Sequence, residues 1–588
     1  MSVPQSKLEQ VRAMIREGKI DQACAVAQRL VQSAPRDAQA AAVLAEAHFY
    51  ARRMPQALHF AKVAADLAPR DAAILCQYAY LLTVDYKGEQ AAEVAERAVA
   101  LNPAWDHARM TATGAYGLLR RFTTMIEHAR AGLAANPGHA GLTAVLAGAL
   151  TNAARADEGY ALVRAALHAD PGDHVLCSAA CVISNYAPGL SRQESLELHA
   201  SYGRLLEREL PAERAAFANT PEAQRPLRVG LVSPDLRAHP VATFIEPLLA
   251  GHDRDRIKVH IYQTNMISDA VTQRLKQYPV AWRLMDTTND VGLARAIRDD
   301  AIDVLVDLSG HTEAHSLIAL HLRPAPVIAT YCGYPGTTGV SGVGYRIVDA
   351  LTDPPGEADA FATETLVRID PCFLCYRPHA EMPPVAPRAA GPITFGSFNA
   401  LQKVNTPLLN LWARVLERVP GSRLALKSMN LEDEGVRADL LGRLGQAGIA
   451  PERVELIPPT RTIPQHLAAY ARIDIALDTF PYHGTTTTCE AICMGVPVIT
   501  LAGDRHASRV GVSLLHAVGL PECVAGDEET YVNLAAALAS DEGRLGVLRE
   551  TLRPRLLASP LCDEAAFCRR FEDALRAMWR TWCEGERV

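Results

Sequence analysis

The pattern of apolar and polar residues divides the chain into two parts that meet near Pro226. After this proline, short apolar runs rich in β-branched residues alternate with segments of helical character. A proline-rich stretch, residues 381–392, interrupts the alternation, which then starts again. Continuous apolar strands separated by helices are typical of parallel sheets buried on both faces. This part of the chain therefore predicts two α/β units in tandem.

The predicted strands before the break are LRVGLVSPD (227–235), RIKVHIYQ (256–263), IDVLVDLSG (302–310), VIATYCGYPG (327–336) and YRIVDALTD (345–353). Those after it are ITFGSFN (393–399), SRLALKS (422–428), RVELIP (453–458), IDIALDT (473–479) and VPVITL (496–501). We expect two Rossmann-like domains, residues 227–388 and 389–588, that face a cleft. Ligands of open α/β sheets bind beyond the carboxyl ends of the strands, so we expect the functional site at that edge.

The chain before Pro226 is periodic. Prolines recur every 34 residues, at Pro35, Pro69, Pro103, Pro137 and Pro171. Small residues recur in step where two helices must approach closely, for example Ala45 and Ala79. A 34-residue period with a helix-ending proline is the signature of tetratricopeptide repeats. Residues 1–190 are predicted to form an α-solenoid, a tetratricopeptide superhelix, and residues 191–226 a helical connector.

The repeats suggest a partner. The concave face of such a superhelix binds extended peptide or another protein. We expect the groove to present a protein or peptide acceptor to the second part of the chain. The alternative is a module for solubility or for a homodimer.

Composition excludes several classes of protein. The 588 residues carry a formal net charge of −7, which is not a nucleic-acid footprint. The N-terminal segment has no apolar core of a secretory signal, and no run of about 18 apolar residues predicts a membrane span. Thirteen scattered cysteines fit a reducing cytosol. We expect a cytoplasmic protein without nucleic-acid or membrane partners.

Two short motifs are similar to metal-binding motifs, but the surrounding sequence does not support that chemistry. The Cys372–Cys375 pair lacks the second pair that a structural zinc site needs. HTEAH (311–315) has its glutamate one position too late for a zincin helix, and no GxxxxGK[ST] phosphate loop occurs. We expect no metal site.

Polar residues collect where the predicted strands end. They are Asp235, Arg237 and His239 after the first strand, His311 and Thr312 after the third, and Asn399, Gln402 and Lys403 after the first strand of the second unit. Because the carboxyl ends of parallel strands share one edge, we expect these groups to converge on a pocket.

The stretch DTFPYHGTTTTCEAICMGVPVIT (478–500) places Gly484 and four threonines, Thr485 to Thr488, directly before an apolar helical run. Threonine suits the first turn of a helix, where N–H groups need acceptors. Hydroxyls and free N–H groups at a helix start also hold phosphate. The threonines form either a phosphate cradle or an ordinary N-cap.

In this order behind the repeats, the motifs resemble the O-GlcNAc transferase and SPINDLY family of protein O-glycosyltransferases, glycosyltransferase family 41. The matching phrases are LRVGLVSPDLRAHPVATF, LVDLSGHT, LRPAPVIATYCGYPGTTG, FGSFNALQKVN, DTFPYHGTTTTCEAICMGVPVITLAG and GVSLL. The resemblance implies a GT-B fold of two Rossmann-like domains and a nucleotide-sugar donor. It also implies transfer to Ser or Thr hydroxyls with inversion, without a metal or a prosthetic group.

The resemblance also implies roles by position. His239 corresponds to a histidine that is either the catalytic base or a group that positions acceptor and donor, and Lys403 to a lysine on the donor diphosphate. On the donor side it assigns His466 beside the base, Thr485, Thr486 and Thr487 around the phosphates, and Glu490 on the ribose. Asn399, Gln402 and Gly484 are added to the donor side from their positions at a strand end and before the helix. Asp235, His311, Thr312 and Tyr334 are candidates for the sugar and acceptor side.

Several positions bear on which nucleotide sugar is the donor. Thr485 and Ala400 replace a histidine and a glutamine of the O-GlcNAc transferases, and DLSGHT and DTFPYHGTTTTCE are closer to SPINDLY, whose plant members use GDP-fucose. We expect UDP-GlcNAc, with GDP-fucose, or a flagellin transferase using another nucleotide sugar, as alternatives. A tetratricopeptide adaptor with an inactive transferase domain is the alternative from another class, and a GT-B enzyme with a small-molecule or lipid-linked acceptor is a third.

Overall fold

A computed structural model gives the structure of the chain, and it describes residues 3–210, 217–285, 289–388 and 390–585. They form two compact units. One consists of the chain up to Ala153 together with Glu432–Val436, and the other of Ala154–Leu431 with the chain from Arg437 onward. The domain boundaries drawn from the sequence at residues 190 and 226 stay predictions.

The first unit consists of helices joined by short turns. They are α1 (Gln5–Arg16), α2 (Ile20–Ser33), α3 (Ala38–Tyr50), α4 (Met54–Leu67), α5 (Ala72–Val84), α6 (Gly88–Leu101), α7 (Asp106–Leu118), α8 (Phe122–Ala135) and α9 (Ala140–Asn152). Alanines at the predicted contact positions, such as Ala45 and Ala79, are fully buried. The helical repeat arrangement predicted from the prolines is confirmed.

The turns of the repeats show why the period is so regular. Asp37 and Asp71 each follow a repeat proline by two residues and cap the next helix through the amides of Ala40 and Ile74. The turn inside each helix pair has one residue in the left-handed region, with φ between 55° and 74°; these residues are Gly18, Arg52, Tyr86, Arg120 and Ala154. They share the 34-residue spacing, although only the first is a glycine.

The second unit begins with α10 (Ala156–Ala169), α11 (His174–Ser184) and α12 (Arg192–Glu209). A capping box fixes the start of α12, since Ser191 Oγ accepts from the Glu194 amide and the Glu194 carboxylate accepts from the Ser191 amide. One face of α12 packs into the core of the following α/β half through Tyr202 and Leu206.

The first α/β half has, in its described part, a seven-stranded parallel sheet in the order β3-β2-β1-β4-β5-β6-β7. Its strands are β1 (Leu227–Ser233), β2 (Ile257–Gln263), β3 (Ala281–Leu284), β4 (Val304–Asp307), β5 (Val327–Tyr331), β6 (Tyr345–Val348) and β7 (Thr365–Arg368). Its helices are α13 (Pro240–Gly251), α14 (Ala270–Leu275), α15 (Asp290–Asp299) and α16 (Leu317–His321). The register pairs Val229 with Val259 and Val304, so β1 lies inside the sheet, between β2 and β4.

The second half has a parallel sheet in the order β10-β9-β8-β11-β12-β13. Its strands are β8 (Thr394–Ser397), β9 (Arg423–Lys427), β10 (Val454–Ile457), β11 (Ile475–Leu477), β12 (Val498–Leu501) and β13 (Val524–Ala525). Its helices are α17 (Thr406–Arg418), α18 (Glu434–Gln446), α19 (Ile463–Ala468), α20 (Thr486–Cys493), α21 (Val510–Ala517), α22 (Glu528–Ser540), α23 (Glu542–Leu557) and α24 (Glu564–Cys583). The predicted pair of Rossmann-like domains is confirmed.

Polar contacts join the two halves. His506 Nδ1 lies 2.5 Å from Asp353 Oδ2, and Ser513 Oγ donates to Asp349 Oδ2 at 2.6 Å. All four side chains are buried. Buried, hydrogen-bonded pairs of this kind fix the orientation of the elements that carry them.

The helix α24 belongs by sequence to the second half but packs on the first. Its Glu572 accepts from the Asp253 amide at 2.8 Å and from Arg256 at 3.1 Å. Its Phe571 ring lies 5.1 Å from the ring of Tyr331 in β5. The chain thus crosses back to the first sheet.

Three strands were not predicted, namely β3, β7 and β13. β3 (AWRL) lies at the sheet edge with mostly exposed side chains, β7 lies at the opposite edge, and β13 has two residues. Edge strands lack the continuous apolar run by which buried strands are found. No helix in the described ranges is both long and apolar enough to span a bilayer.

Candidate functional site

A buried carboxylate organises the turn that follows β11. Asp478 Oδ1 accepts from the amides of Gly484 at 2.7 Å and Thr479 at 2.9 Å, and Oδ2 accepts from Thr500 Oγ1 at 2.7 Å. The side chain is fully buried. Asp478 therefore holds both ends of the segment between β11 and α20, a role that its place at a strand end did not by itself reveal.

Position 484 requires glycine because neighbouring side chains lie too close for a Cβ atom. A Cβ at this position would lie 2.5 Å from Thr487 Oγ1 and 3.0 Å from Asn399 Oδ1. Its φ lies outside the left-handed region, so the backbone conformation does not require glycine here and the close neighbours do. The absence of a side chain lets the loops after β8 and β11 meet.

The start of α20 distinguishes the two interpretations of the threonines. The N-cap residue is Thr485, and no side chain in the described part of the chain caps this end. Thr486 Oγ1 is buried and has no hydrogen-bond partner among the described residues. Thr487 Oγ1 donates to Asn399 Oδ1 at 2.9 Å, and Thr488 Oγ1 donates to the Gly484 carbonyl. The run is therefore not an ordinary N-cap, and the N–H groups of the first turn stay available to an anion.

Lys403 supplies a cation at the same turn. Its Nζ donates to the His483 carbonyl at 2.6 Å and lies 4.1 Å from the centre of the Tyr482 ring. Burial lowers the pKa of Lys403 to about 8. Gln402 precedes it in the short 3₁₀ turn Leu401–Lys403 and is half-buried. The ammonium is thus held at the carbonyl of His483, the residue before Gly484.

His483 fixes the carbonyl that Lys403 uses. Its Nε2 donates to the Leu501 carbonyl at 2.8 Å, and its Nδ1 accepts from the Gly511 amide at 3.0 Å. These two bonds assign the tautomer. The ring is fully buried, and burial lowers its pKa, so it is neutral. Neither nitrogen is left for chemistry, and His483 is a positioning residue.

A second cluster lies one helical turn further along α20, around Glu490. His466 Nε2 lies 3.0 Å from Glu490 Oε2, and Lys427 Nζ donates to His466 Nδ1 at 2.7 Å. Because Nδ1 accepts from the ammonium, Nε2 carries the proton and donates to Glu490. Tyr470 links the cluster to the threonines, since its hydroxyl lies within hydrogen-bond distance of Glu490 Oε2 and of the Thr487 carbonyl. The predicted donor-side residues are thus brought together.

Lys427 is the functional candidate that the sequence analysis missed. It is the last residue of β9, its side chain is buried, and burial lowers its pKa. A signal was present, because SRLALKS places a lysine at the carboxyl end of an apolar strand. A lysine is almost never fully buried unless it is paired.

His239 and Asp235 lie at the carboxyl edge of the first sheet. His239 is the N-cap of α13, where its Nδ1 accepts from the Val241 amide at 3.3 Å and lies 3.8 Å from Asp235 Oδ2. Burial lowers the pKa of His239, so the ring is neutral at pH 7. With Nδ1 accepting, the proton of the neutral ring is on Nε2.

His311 and Tyr334, two sugar-side candidates, lie instead in a buried polar cluster. His311 Nε2 donates to the Thr338 carbonyl at 2.7 Å. The Tyr334 hydroxyl lies 2.6 Å from His199 Nε2 and accepts from Asn185 Nδ2 at 2.9 Å. These bonds tie α11 and α12 to the loop after β5. Their predicted contact with sugar or acceptor stays a prediction.

Thr312 is half-buried and donates through its hydroxyl to the Ser309 carbonyl at 2.9 Å. Its predicted place on the sugar side stays a prediction too.

The same cluster contains donor atoms that could hold a metal. Atoms of Cys181, His199 and His311 lie within 4.8 Å of one another, and all three residues are buried. His199 Nδ1 donates to the Ser195 carbonyl at 2.6 Å, and its Nε2 accepts from Tyr334. Both nitrogens of His199 are therefore already used. The predicted absence of a metal stays a prediction.

The fold and this site together define a class. Two α/β halves with parallel sheets, joined by buried polar contacts, with an uncapped helix start and a lysine beside it on the second half, are the GT-B arrangement of nucleotide-sugar transferases. The sequence profile described as glycosyl transferase family 41 matches residues 205–386 and 385–571. The chain belongs to glycosyl transferase family 41, as its motifs predicted.

Similar proteins agree with this assignment. The chain is 43% identical over 409 residues to a tomato (Solanum lycopersicum) protein named "Probable UDP-N-acetylglucosamine--peptide N-acetylglucosaminyltransferase SPINDLY", an alignment that covers 68% of this chain and 44% of that protein. It is 27% identical over 374 residues to the Arabidopsis thaliana SEC protein of the same enzyme description, covering 61% of this chain and 38% of that one. The chain thus spans less than half the length of these curated relatives.

A solved structure extends the likeness over most of the chain. A mutant O-GlcNAc transferase of Thermobaculum terrenum superposes with a TM-score of 0.82 at 34% sequence identity, covering 88% of this chain and 98% of that one. The order of a helical repeat region followed by two Rossmann-like domains is therefore shared.

Proposed function

We propose that this protein transfers a sugar from a nucleotide sugar to Ser or Thr hydroxyls of protein acceptors, with UDP-GlcNAc as the donor. The observation that carries the proposal is the start of α20, where the N–H groups are uncapped and Thr486 Oγ1 has no partner among the described residues, while Lys403 Nζ binds the carbonyl of His483, three residues before Thr486. The similar SPINDLY and SEC proteins are named as peptide N-acetylglucosaminyltransferases that use UDP-N-acetylglucosamine, which supports UDP-GlcNAc as the donor.

The reaction explains why these groups are needed. When the acceptor oxygen attacks the anomeric carbon, the bond to the donor phosphate breaks and negative charge grows on the departing diphosphate. N–H groups at a helix start, hydroxyls and an ammonium stabilise such charge without reorganising. We infer that Lys403 and the Thr485–Thr487 segment perform this task, that no metal is needed, and that attack from the opposite face inverts the anomeric centre.

We infer a positioning role for His239 in place of a general-base role. Its Nδ1 already accepts from the Val241 amide, so Nε2 carries the proton of the neutral ring. A protonated Nε2 donates a hydrogen bond to a sugar or acceptor oxygen. It cannot accept the proton that the acceptor hydroxyl loses unless the tautomer changes first.

The cluster of Lys427, His466 and Glu490 is proposed to hold the nucleoside. It lies on α20 and its neighbours, one helical turn from the phosphate segment, as the distance from a diphosphate to its nucleoside requires. A GDP-fucose donor is the second candidate. The observation that favours it is the higher identity to SPINDLY, 43%, than to SEC, 27%.

We propose that the helical repeats present the acceptor protein, and that the chain acts in the cytoplasm, where its thirteen cysteines, all free in the structure, stay reduced. No nucleic-acid or membrane partner is proposed. A homodimer through the repeats is the alternative use of that surface.

The test compares thermal stabilisation by UDP, GDP and CMP at equal concentration, because a ligand that binds only the folded state raises the melting temperature according to its affinity. We expect UDP to give the largest shift. A larger shift with GDP moves the protein to the fucosyltransferase class, and CMP alone indicates another nucleotide sugar.

The matched variants are Lys403→Ala and Lys62→Ala, the latter an exposed lysine on α4. Only Lys403→Ala is expected to lose the shift and the transfer of labelled sugar to protein. If no nucleotide shifts the melting temperature of the wild-type protein, the result favours a tetratricopeptide adaptor with an inactive transferase domain.

A further inference from the structure

A second polar pocket lies in the unit that contains both α/β halves, away from α20. It is lined by residues from α12, the loop after β5, β6, the segment before β7 and the loop after β12. Three arginines line it, namely Arg192, Arg346 and Arg505. None of the residues placed above at the phosphate or nucleoside positions belongs to its lining.

Arg346 is the most informative of the three. It lies in β6 with 5% of its surface exposed, and its Nη2 is buried without a hydrogen-bond partner among the described residues. Its Nη1 lies 3.6 Å from Asp353 Oδ1, which is too long for a hydrogen bond. An arginine this deeply buried is normally hydrogen-bonded on several of its five N–H groups.

Arg192 and Arg505 line the same pocket as Arg346. Arg192 Nε is buried without a hydrogen-bond partner in the described ranges, and its two carboxylate neighbours, Glu357 and Asp504, are 3.9 and 3.7 Å away. Arg505 Nη1 donates to the Ser184 carbonyl at 3.1 Å. Burial lowers the pKa of Arg505, because its buried surroundings disfavour the positive charge of the guanidinium.

The acidic residues near the pocket do not neutralise it. Asp353 Oδ2 lies 2.5 Å from His506 Nδ1, across the contact between the halves. That oxygen is therefore already engaged by a group other than the arginines. Glu357 and Asp504 are 68% and 60% exposed at their side chains, so water weakens their attraction to Arg192. The buried end of the pocket therefore has an excess of positive charge and of hydrogen-bond donors.

The pocket is also connected to the donor side. Asn185 lines it and donates to Tyr334 in the loop after β5. The next residue, Tyr186, stacks on Tyr482 at 5.0 Å, and Tyr482 lies beneath Lys403 Nζ. An occupant that orders the end of α11 would also order the ring under the catalytic lysine.

We propose that this pocket binds one phosphate or carboxylate group of a small-molecule ligand, held by the guanidinium groups of Arg192, Arg346 and Arg505. Planar guanidinium forks match the oxygens of either group in a bidentate manner. The buried, unpartnered Nη2 of Arg346 would donate to one oxygen, and Arg192 and Arg505 would close the open side. The proposal does not depend on the identity of the sugar donor.

The test uses inorganic phosphate and succinate as probes, titrated into the full chain and followed by melting temperature and calorimetry. All titrations are repeated in Lys403→Ala, so that phosphate bound at the start of α20 is recognised by its dependence on that lysine. We expect saturable binding of at least one probe that persists in Lys403→Ala. In Arg192→Gln and Arg505→Gln it should weaken about tenfold, the worth of one charge-assisted contact.

Arg414→Gln is the control, because Arg414 is a partly exposed arginine paired with Glu528 and Glu529 on the second half. It should bind both probes like the wild type. Arg192 and Arg505 are less buried than Arg346, so their variants keep the test independent of whether an Arg346 variant folds. Binding that disappears in Lys403→Ala and survives in Arg192→Gln and Arg505→Gln, or no binding of either probe, overturns the proposal.

Discussion

The carboxylate of Asp478 accepts the Gly484 amide at 2.7 Å, and this bond sets where α20 begins. The same side chain accepts from the Thr479 amide and from Thr500. Asp478→Ala leaves these donors buried without an acceptor, at about 1–3 kcal/mol for each lost partner, so we expect at least about 3 kcal/mol of lost stability. Chemical denaturation measures it.

Asp527→Ala provides the comparison for Asp478. Asp527 is an exposed N-cap of α22 that accepts from the Thr530 amide, and its loss should cost about 1 kcal/mol. Equal losses in the two variants would show that the Asp478 network is not what holds the turn.

Gly484→Ala should damage binding more than stability. The added Cβ would lie 2.5 Å from Thr487 Oγ1 and 3.0 Å from Asn399 Oδ1, so both side chains must move from the proposed phosphate position. We expect nucleotide affinity to fall by about tenfold or more. Gly442→Ala, in α18 where a Cβ meets open space, should leave affinity unchanged and stabilise slightly. Titration calorimetry with UDP and GDP decides between these outcomes.

Nucleotide affinity should depend on pH through Lys403. Its pKa in the free protein is about 8, and a diphosphate favours the charged form. The charge is present below pH 8 and lost above it, so affinity should be constant from pH 6.5 to 7.5. It should then fall by up to about tenfold per pH unit above pH 8. In Lys403→Met affinity should be lower at every pH and show no such decline, and a decline that persists assigns it to another group.

Lys427 should matter for the nucleoside and not for the phosphates. Lys427→Met removes the ammonium that donates to His466 Nδ1 at 2.7 Å, freeing the ring to change tautomer and loosen from Glu490. We expect UDP or GDP affinity to fall by about tenfold while inorganic pyrophosphate affinity is unchanged. A parallel loss of pyrophosphate binding would place Lys427 at the phosphates instead.

Tyr334→Phe tests the buried cluster apart from the donor site. The lost hydroxyl leaves the buried His199 Nε2 without its partner, while Asn185 Nδ2 keeps the Cys181 carbonyl, and the change should cost about 1–3 kcal/mol. Nucleotide affinity should stay within about twofold of the wild type. Tyr50→Phe, an exposed tyrosine on α3, should change neither quantity. A large loss of affinity in Tyr334→Phe would indicate that Tyr334 faces the sugar after all.

The sequence was informative where physics is local. Proline spacing predicted the helical repeats, and apolar runs located every central strand, because burial on both faces leaves a continuous apolar signature. The donor-side residues could be placed together because strand ends share an edge. His466 and Glu490 were found only through the family resemblance, since nothing in their local sequence marks them.

What the sequence could not give depends on three-dimensional detail. Asp478 looks like an ordinary strand-end residue, and His483 like a loop residue, until their buried partners are known. Lys427 is a single polar residue at the end of an apolar strand, and its local sequence does not show what it contacts. His311 and Tyr334 follow strand ends as Asp235 does, but their side chains turn toward α11 and α12, and no periodicity encodes that direction.

The return of α24 to the first sheet has a consequence for biosynthesis. Phe571 and Glu572 cover and pair with parts of the first half that are made more than 200 residues earlier. During synthesis the nascent first half waits with that surface uncovered until α24 leaves the ribosome. Exposed apolar surface of this kind attracts chaperones. The first α/β half therefore completes its packing only after the second half has been made, although it is translated before it.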